Sequence, residues 1–380
     1  MTFNKLRYEI TIAITLLTSM VSLVSCNNEK VITEASESIS NRDYKSAMTS
    51  ILSLDDNDII KSDSLSQLLS TAYYGLKLIP TRDIAFDCYD MDFVPNNDVV
   101  IFTDFHNGSL NFYEFPNMKF TRSILLPDKA YNIDISPDGS TIAAAMVDHT
   151  ILLYDLASGR KLNTLEGHTN RVRDVVFRDN NLLFSCSNDQ KIAAWDVTTG
   201  DPYWGKRQNT KNIKSLQLSK DKTKLITASN DGSACIVNAT DNNIGSEELR
   251  VIHGENYVND AAISPDNKYL VTVSGDGYVK IWDAENGCSI KYIFLNDPLG
   301  AVDISPNGSH LLIGGKHNAY IISLNDGKVI SKIHGANMPI WSVKFINDID
   351  FVFADNSRFW QGELNSIEEQ IKNAREMFAN

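Results

Sequence analysis

A turn-plus-strand unit recurs seven times between residues 81 and 364. The copies read HNGSLNFYEF, VDHTILLYDL, NDQKIAAWDV, NDGSACIVNA, GDGYVKIWDA, KHNAYIISLN and DNSRFWQGEL. Aligned on Tyr113, Tyr154, Trp195, Val237, Trp282 and Ser323, they step by 41, 41, 42, 45 and 41 residues, and a last copy follows near Gln361. A period this steady restricts the chain to a repeat architecture, in which a unit buries its apolar face only against its neighbours. It also makes the units scaffold and moves function into the loops that join them.

Each unit follows one grammar. A hydrophobic strand leads to a turn such as Ser136-Pro137-Asp138-Gly139, Ser264-Pro265-Asp266-Asn267 or Ser305-Pro306-Asn307-Gly308. Pro and Gly supply the backbone angles that such turns need. A second strand follows, then a tight Asp-Gly or Asn-Asp turn, which is a hairpin signal. The third strand ends in an aromatic residue and an acid, and a fourth begins after a turn such as Thr198-Thr199-Gly200. Four short strands per unit make one blade of a β-propeller. The fold class is therefore all-β: a seven-bladed β-propeller over 81–364, preceded by a short α-helical hairpin and followed by a C-terminal helix at 365–380. The last unit gives strands at 340–345, 350–354 and 358–364 and lacks its outer strand. Residues 83–86 form an unclaimed strand, and closing the ring with it would remove the open edges.

At this point the chain resembles the WD-repeat family. Trp195-Asp196 and Trp282-Asp283 carry the naming dipeptide, Tyr154-Asp155 is a near match, and Leu165-Glu166-Gly167-His168 matches the family's Gly-His element. The resemblance implies a hydrogen-bonded set of His, strand Ser or Thr, turn Asp and Trp. In blade three these are His168, Ser185, Asp189 and Trp195. In blade five they are His253, Thr272, Asp276 and Trp282, although there the His precedes the Gly. A buried Asp and an indole N–H each need a partner, so these roles are structural. Val237-Asn238 and Ser323-Leu324 replace the dipeptide in blades four and six, and blades one and seven are degenerate too.

The first 25 residues read as targeting rather than fold. Lys5 and Arg7 precede an apolar run of about 15 residues, short for a spanning helix and suited to a signal peptide. The run ends in Leu23-Val24-Ser25-Cys26, which resembles the lipobox of bacterial lipoproteins. That resemblance implies a lipid on Cys26, a bacterial cell envelope location and, with Asn27 next, the outer membrane. Residues 26–80 read as helical, with apolar residues near helical spacing from Ile32 to Leu76. Asn41 to Ala47 is weakly similar to part of a tetratricopeptide repeat. The Asp55-Asp56-Asn57-Asp58 run reads as a solvated turn, since it lacks the Gly and terminal Glu of a calcium loop. Cys88, Cys186, Cys235 and Cys288 have no close pairing and read as buried free thiols.

There is no phosphate loop, nucleophile elbow or zinc helix, and the seven His share no metal-ligand spacing. No catalytic residue, metal or cofactor is assigned. Net charge is −13, and −14 without the leader residues, which disfavours nucleic acid. Asp90, Asn132, Asp174 and Asp260 hold matching positions in the first strands and can ring the channel, as polar lining or around a cation. Arg171, Arg173, Tyr257, Pro339 and Trp341 precede or open first strands on one face. Tyr, Trp and Arg are enriched in binding hot spots, so Arg171, Arg173, Tyr257 and Trp341 are the partner-binding candidates. The other reading of Tyr257 and Trp341 is packing between blades. The sequence thus points to a non-enzymatic envelope lipoprotein, a monomer or part of a hetero-assembly, that binds a protein or peptide. The alternative is a lactonase-like or glycan-active propeller enzyme with a polar site at the channel mouth.

Overall fold

The alternating apolar residues of each repeat become four antiparallel strands. The structure, a computed structural model, describes residues 28–77, 82–83, 86–241, 243–334, 338–355 and 358–379. Contacts divide the chain into a helical unit, formed mainly by the N-terminal helices and residues 365–380, and a unit of seven four-stranded sheets.

The sheets are a seven-bladed β-propeller. Blade one is β2 (Cys88–Phe93) to β5 (Lys119–Leu125), and blade two is β6 (Ala130–Ile135) to β9 (Lys161–Leu165). Blade three is β10 (Val172–Phe177) to β13 (Pro202–Arg207), and blade four is β14 (Ile213–Leu218) to β17 (Glu247–Ile252). Blade five runs from β18 (Val258–Ile263) to β21 (Ser289–Phe294), and blade six from β22 (Leu299–Ile304) to β25 (Val329–His334). Blade seven holds β26 (Ile340–Phe345), β27 (Asp350–Asp355) and β28 (Arg358–Glu363). The inner strands neighbour one another in turn, and β26 returns to β2.

Packing follows position in the blade. Every residue of β7 (Thr141–Met146) is buried, whereas β13 at the rim is mostly exposed. Separate apolar clusters lie between neighbouring blades, such as Ala143, Val175, Phe177 and Leu183 with Trp195 between blades two and three. Burying one such aliphatic or Phe side chain contributes about 1.5–3 kcal/mol. The Ser-Pro-Asp-Gly turns are held by their own side chains. Ser136 Oγ donates to Asp138 Oδ1 at 2.6 Å and accepts from Thr141 N at 2.9 Å, and Gly139 has φ 71°. Blade four makes the same turn without Pro: Ser219 Oγ donates to Asp221 Oδ1 at 2.6 Å.

Blade seven is completed from the other end of the propeller. β1 (Arg82–Asp83) pairs antiparallel with β28, Arg82 opposite Phe359 and Asp83 opposite Arg358. The closing strand expected at 83–86 thus shares Asp83 with β1. Residues 84 and 85 lie outside the described residues, and Phe86 sits in a bend.

Register corrects the repeat alignment in its last two units. Leu183 pairs with Trp195 and Leu270 with Trp282, and the equivalent pairs are Leu311 with Ile322 and Phe351 with Gly362. The anchor in blade six is therefore Ile322, not Ser323, and the last anchor, placed near Gln361, is Gly362. Ile322 is buried and Ser323 is only partly so, as strand alternation requires. Of the cysteines, Cys88, Cys186 and Cys235 are buried and free. Cys288 is exposed, because it lies in the turn before β21 and not inside a strand.

The helical unit holds a helix at 28–40 (α1), α2 (Tyr44–Ile51), α3 (Asp56–Lys61), α4 (Asp63–Lys77) and α5 (Ile367–Ala379). The acidic run expected as a turn is a helix start. Asp55 accepts from Asn57 N at 2.9 Å, and Asp56 and Asp58 fill the first turn, where the helix dipole favours them. Buried Ser70 of α4 donates to Gln370 of α5 at 2.8 Å, so the C-terminal helix joins the N-terminal ones in one unit. Among the described residues no helix is long and apolar enough to cross a membrane.

Candidate functional site: the channel and its N-terminal mouth

One cavity of about 550 Å³ runs down the propeller axis, lined by the inner strands. All seven inner strands carry a register shift next to their second residue. Such a bulge breaks strict alternation. It lets both the second and the third residue of every inner strand line the channel. The second positions hold Tyr89, Tyr131, Arg173, Lys214, Asn259, Gly300 and Trp341. The third positions hold Asp90, Asn132, Asp174, Ser215, Asp260, Ala301 and Ser342.

The deeper polar residues bridge blades. Asp90 accepts from Ile133 N at 3.1 Å, Asn132 from Val175 N at 3.0 Å, Asp174 from Leu216 N at 2.7 Å and Asp260 from Val302 N at 2.9 Å. One step further down, Asp92, Asp134, Gln217 and Asp303 accept from Ile135, Phe177, Ile263 and Phe345 N. Blade seven reaches blade one through Ser342 Oγ to Asp90 at 3.1 Å and Lys344 to Asp92. A side chain therefore spans each of the seven junctions. The acids expected to ring the channel do line it, and their oxygens tie one blade's strand to the next.

Burial sets the titration of these groups. It raises Asp90 to about 7 and Asp260 to about 6, partly offset by their backbone hydrogen bonds, and it raises Asp134, Asp174 and Asp303 as well. Burial opposes the Lys344 ammonium, but Asp92, Asp90 and Asp134 outweigh it and lift its pKa. Among the described residues no group of three or more His, Cys, Asp or Glu is placed to hold a metal ion.

The mouth where the inner strands begin has different chemistry. Trp341 and Tyr89 stack with ring centroids 6.3 Å apart and planes 3° apart. Tyr89 also meets Phe105 at 4.4 Å and Tyr131 at 5.7 Å. The Arg173 guanidinium lies 3.9 Å from the Tyr131 ring, and Arg171 donates to the Tyr131 hydroxyl at 3.3 Å. Lys214 sits 5.2 Å from the Tyr257 ring. Glycines make room for these rings. A Cβ on Gly300 would lie 3.0 Å from Trp341, and one on Gly275 2.7 Å from Tyr257. Tyr257 is 45% exposed, Arg171 is exposed, and Arg173 and Trp341 are half-buried. Arg171, Arg173 and Trp341 thus share one cluster, and Tyr257 joins the same mouth through Lys214. Tyr89, Phe105, Tyr131 and Lys214 were missed in the sequence. The signal that finds Tyr89, Tyr131 and Lys214 is the second position of each inner strand, read down the seven repeats, and Phe105, in the turn after Asp104, lies outside that pattern.

The polar sets of blades three and five lie at the blade edge. His168 Nε2 is 2.7 Å from Ser185 Oγ, its Nδ1 is 2.9 Å from Asp189, and Trp195 Nε1 donates to Ser185 Oγ at 2.8 Å. A Cβ on Gly167 would sit 3.1 Å from Trp195, which explains the glycine before this His. In blade five His253 Nδ1 is 2.7 Å from Thr272 Oγ1, and Trp282 Nε1 donates to the same oxygen at 2.9 Å. His253 stands one residue further from its inner strand than His168 does. It meets the hydroxyl with the other ring nitrogen, and its Nε2 is left 3.6 Å from Asp276.

Residues 127–155, 159–196 and 246–283 match the family WD domain, G-beta repeat. The chain carries WD40 repeats. The matches fall on blades two, three and five, where the aromatic–acid dipeptides lie. Over 216 residues the chain is 27% identical to DDB1- and CUL4-associated factor 10 of Homo sapiens, covering 55% of this chain and 30% of that protein. It is 31% identical over 163 residues to COMPASS component SWD3 of Saccharomyces cerevisiae, covering 41% of this chain and 51% of that protein. It is 31% identical over 185 residues to WD repeat-containing protein 1 of Xenopus tropicalis, covering 46% of this chain and 30% of that protein. The matched region thus spans between three and five tenths of these relatives' length.

Proposed function

We propose that the chain is an envelope lipoprotein with no catalysis of its own, whose WD40 propeller holds a protein or peptide partner at the N-terminal mouth. The observation that carries this reading is the mouth itself, where partly exposed Tyr89, Phe105, Tyr257 and Trp341 surround buried Tyr131 beside Arg171 and Arg173. Rigid aromatics and arginines of this kind supply most of the energy at interfaces. Two relatives are named for association with other proteins, DDB1 and CUL4 in one case and COMPASS in the other. The channel acids, which an enzyme reading would recruit, are engaged in bridging blades.

The lipid anchor rests on Leu23 to Cys26, which lie outside the described residues. In this reading residues 1–25 are the leader, 26–80 the helical segment and 81–364 the propeller. Stable anchoring takes more than one acyl chain. Mass analysis of the mature terminus should find Cys26 acylated, and an unmodified terminus ends the lipoprotein reading. Crosslinking pull-down from intact envelopes tests the binding face. Tyr257→Ala and Trp341→Ala should lose roughly 1–4 kcal/mol of partner binding with little loss of melting temperature. Melting lowered with partner recovery unchanged per folded molecule would make both residues packing elements.

A further inference from the structure

Arg173 and Lys214 stand at the second position of neighbouring inner strands, β10 and β14, and both line the mouth end of the channel. Neither has a carboxylate partner among the described residues. Arg173 rests on the Tyr131 face, and its Nε is buried with no hydrogen-bond partner. Lys214 lies over the Tyr257 ring, and its one hydrogen bond among the described residues goes to the neutral amide oxygen of Asn259, at 3.3 Å. Burial and then the charge of Arg173 lower the Lys214 pKa to about 8. Two adjacent cations, partly desolvated and without a counter-ion, weaken a fold. The acids one layer deeper form no ion pair with either cation, and Asp90, Asp174 and Asp260 each turn an oxygen to the next blade's backbone.

We propose that Arg173 and Lys214 form a subsite for one carboxylate, an Asp or Glu side chain of a peptide partner. This rests on the partner-binding reading above and names the chemistry that the mouth selects. The guanidinium fork and the ammonium suit a carboxylate, and the missing bond of Arg173 Nε is the one such a ligand completes. The aromatic rings alongside cover the aliphatic stem of the ligand residue. The acid layer beneath and the net charge of −13 favour a single negative charge over a polyanion.

The test uses the full chain with lysines dimethylated by ¹³C-formaldehyde, which keeps their charge. Lys214→Gln assigns the Lys214 resonance. The probes are the blocked pentapeptide acetyl-Gly-Gly-Glu-Gly-Gly-amide, its Gln counterpart and inorganic phosphate. The Glu peptide should shift that resonance saturably, the Gln peptide should not, and Arg173→Gln should weaken the effect about tenfold or more, with Arg173→Lys retaining part of it. Lys214→Met should melt no lower than wild type, since it removes an uncompensated charge. No shift with the Glu peptide, an equal shift with the Gln peptide, tighter binding of phosphate, or a lower melt for Lys214→Met would each overturn the assignment. Pull-down separates this result from the scaffold reading. Undiminished partner capture by the Arg173→Gln, Lys214→Gln double variant sinks the subsite alone. Wild type that binds the Glu peptide but captures no partner keeps the subsite and sinks the scaffold.

Discussion

In blade three, His168, Ser185, Asp189 and Trp195 form one run of hydrogen bonds from a surface turn to a buried indole. In blade four the same four places hold Asn209, Thr227, Asp231 and Val237. The turn end is kept there. Thr210 N donates to Asp231 at 2.9 Å, Asn209 Nδ2 to Asp231 at 3.2 Å and to Ser233 Oγ at 3.0 Å, and Arg250 adds a bond to Ser233 at 2.9 Å. Burial pushes Asp231 up, but its bonds from Ser233, Thr210 and Asn209 outweigh that and hold it at about 2. The deep end is given up. Val237 offers no indole, and buried Thr227 Oγ1 has no oxygen or nitrogen partner among the described residues and is left beside the Cys235 sulfur, a weak partner. The comparison separates two demands that a WD blade merges: an acid must fix the hairpin turn, whereas the deep polar link depends on the Trp that reaches it.

The largest expected effect lies at that Trp. Trp195→Ala should cost about 3–5 kcal/mol by chemical denaturation, with the cavity opening between blades two and three. A loss no greater than that of Val237→Ala would erase the contrast between the blades. The hydroxyls come next. Ser185→Ala strands the indole N–H of Trp195 and a nitrogen of His168 and should cost about 1–3 kcal/mol, whereas Thr227→Val should change stability by about 0.5 kcal/mol or less. Equal losses would show that Thr227 is bonded in solution. The last effect depends on pH and brings in blade five. Burial, with Lys280 nearby, lowers His253 from 6.5 to about 4. The unfolded chain then binds the proton more readily, so the contribution of this group is intact above pH 6.5 and is lost as pH drops toward 4. His253→Gln should flatten that decline relative to wild type, by about 1 kcal/mol near pH 5.5. Parallel pH curves for the two proteins would mean that this His is not held neutral. The equivalent place in blade four, with Asn209 in place of a His, should contribute no slope in that window. Asp231 should act only below pH 3.8, where its support is lost toward pH 2.

The sequence shows the blades where chemistry is local. The Ser136 and Ser264 turns, Trp195-Asp196 and Trp282-Asp283 carry their geometry within a few residues, and the helix start at Ser62–Asp63 is likewise readable, with Ser62 Oγ accepting from Leu65 N at 3.3 Å. Legibility fails where spacing misleads. Ser323 stood in for Ile322 because a degenerate blade has no dipeptide to fix the count. The mouth was half seen: Arg173 and Trp341 stand out by type, but Tyr89, Tyr131 and Lys214 need the bulge, which sends two successive residues the same way. The union of α5 with the N-terminal helices rests on Ser70 with Gln370 and Tyr73 with Asn373, 300 residues apart, and no local pattern encodes it.

The two-residue strand β1 puts a clock into this fold. Blades one to six are each made from a single run of chain and can pair their strands as they emerge. Blade seven draws its outer strand from Arg82–Asp83 and the rest from residues 340–363. The earliest strand of the propeller therefore waits, with its hydrogen-bonding groups unclaimed, until the latest one has been synthesised. For as long as it waits, blade one shows the flank that Val352, Ala354 and Phe359 will later cover. The ring is open to wrong partners for the whole of its own synthesis, and that interval, more than the strength of any one blade, sets the hazard of making it.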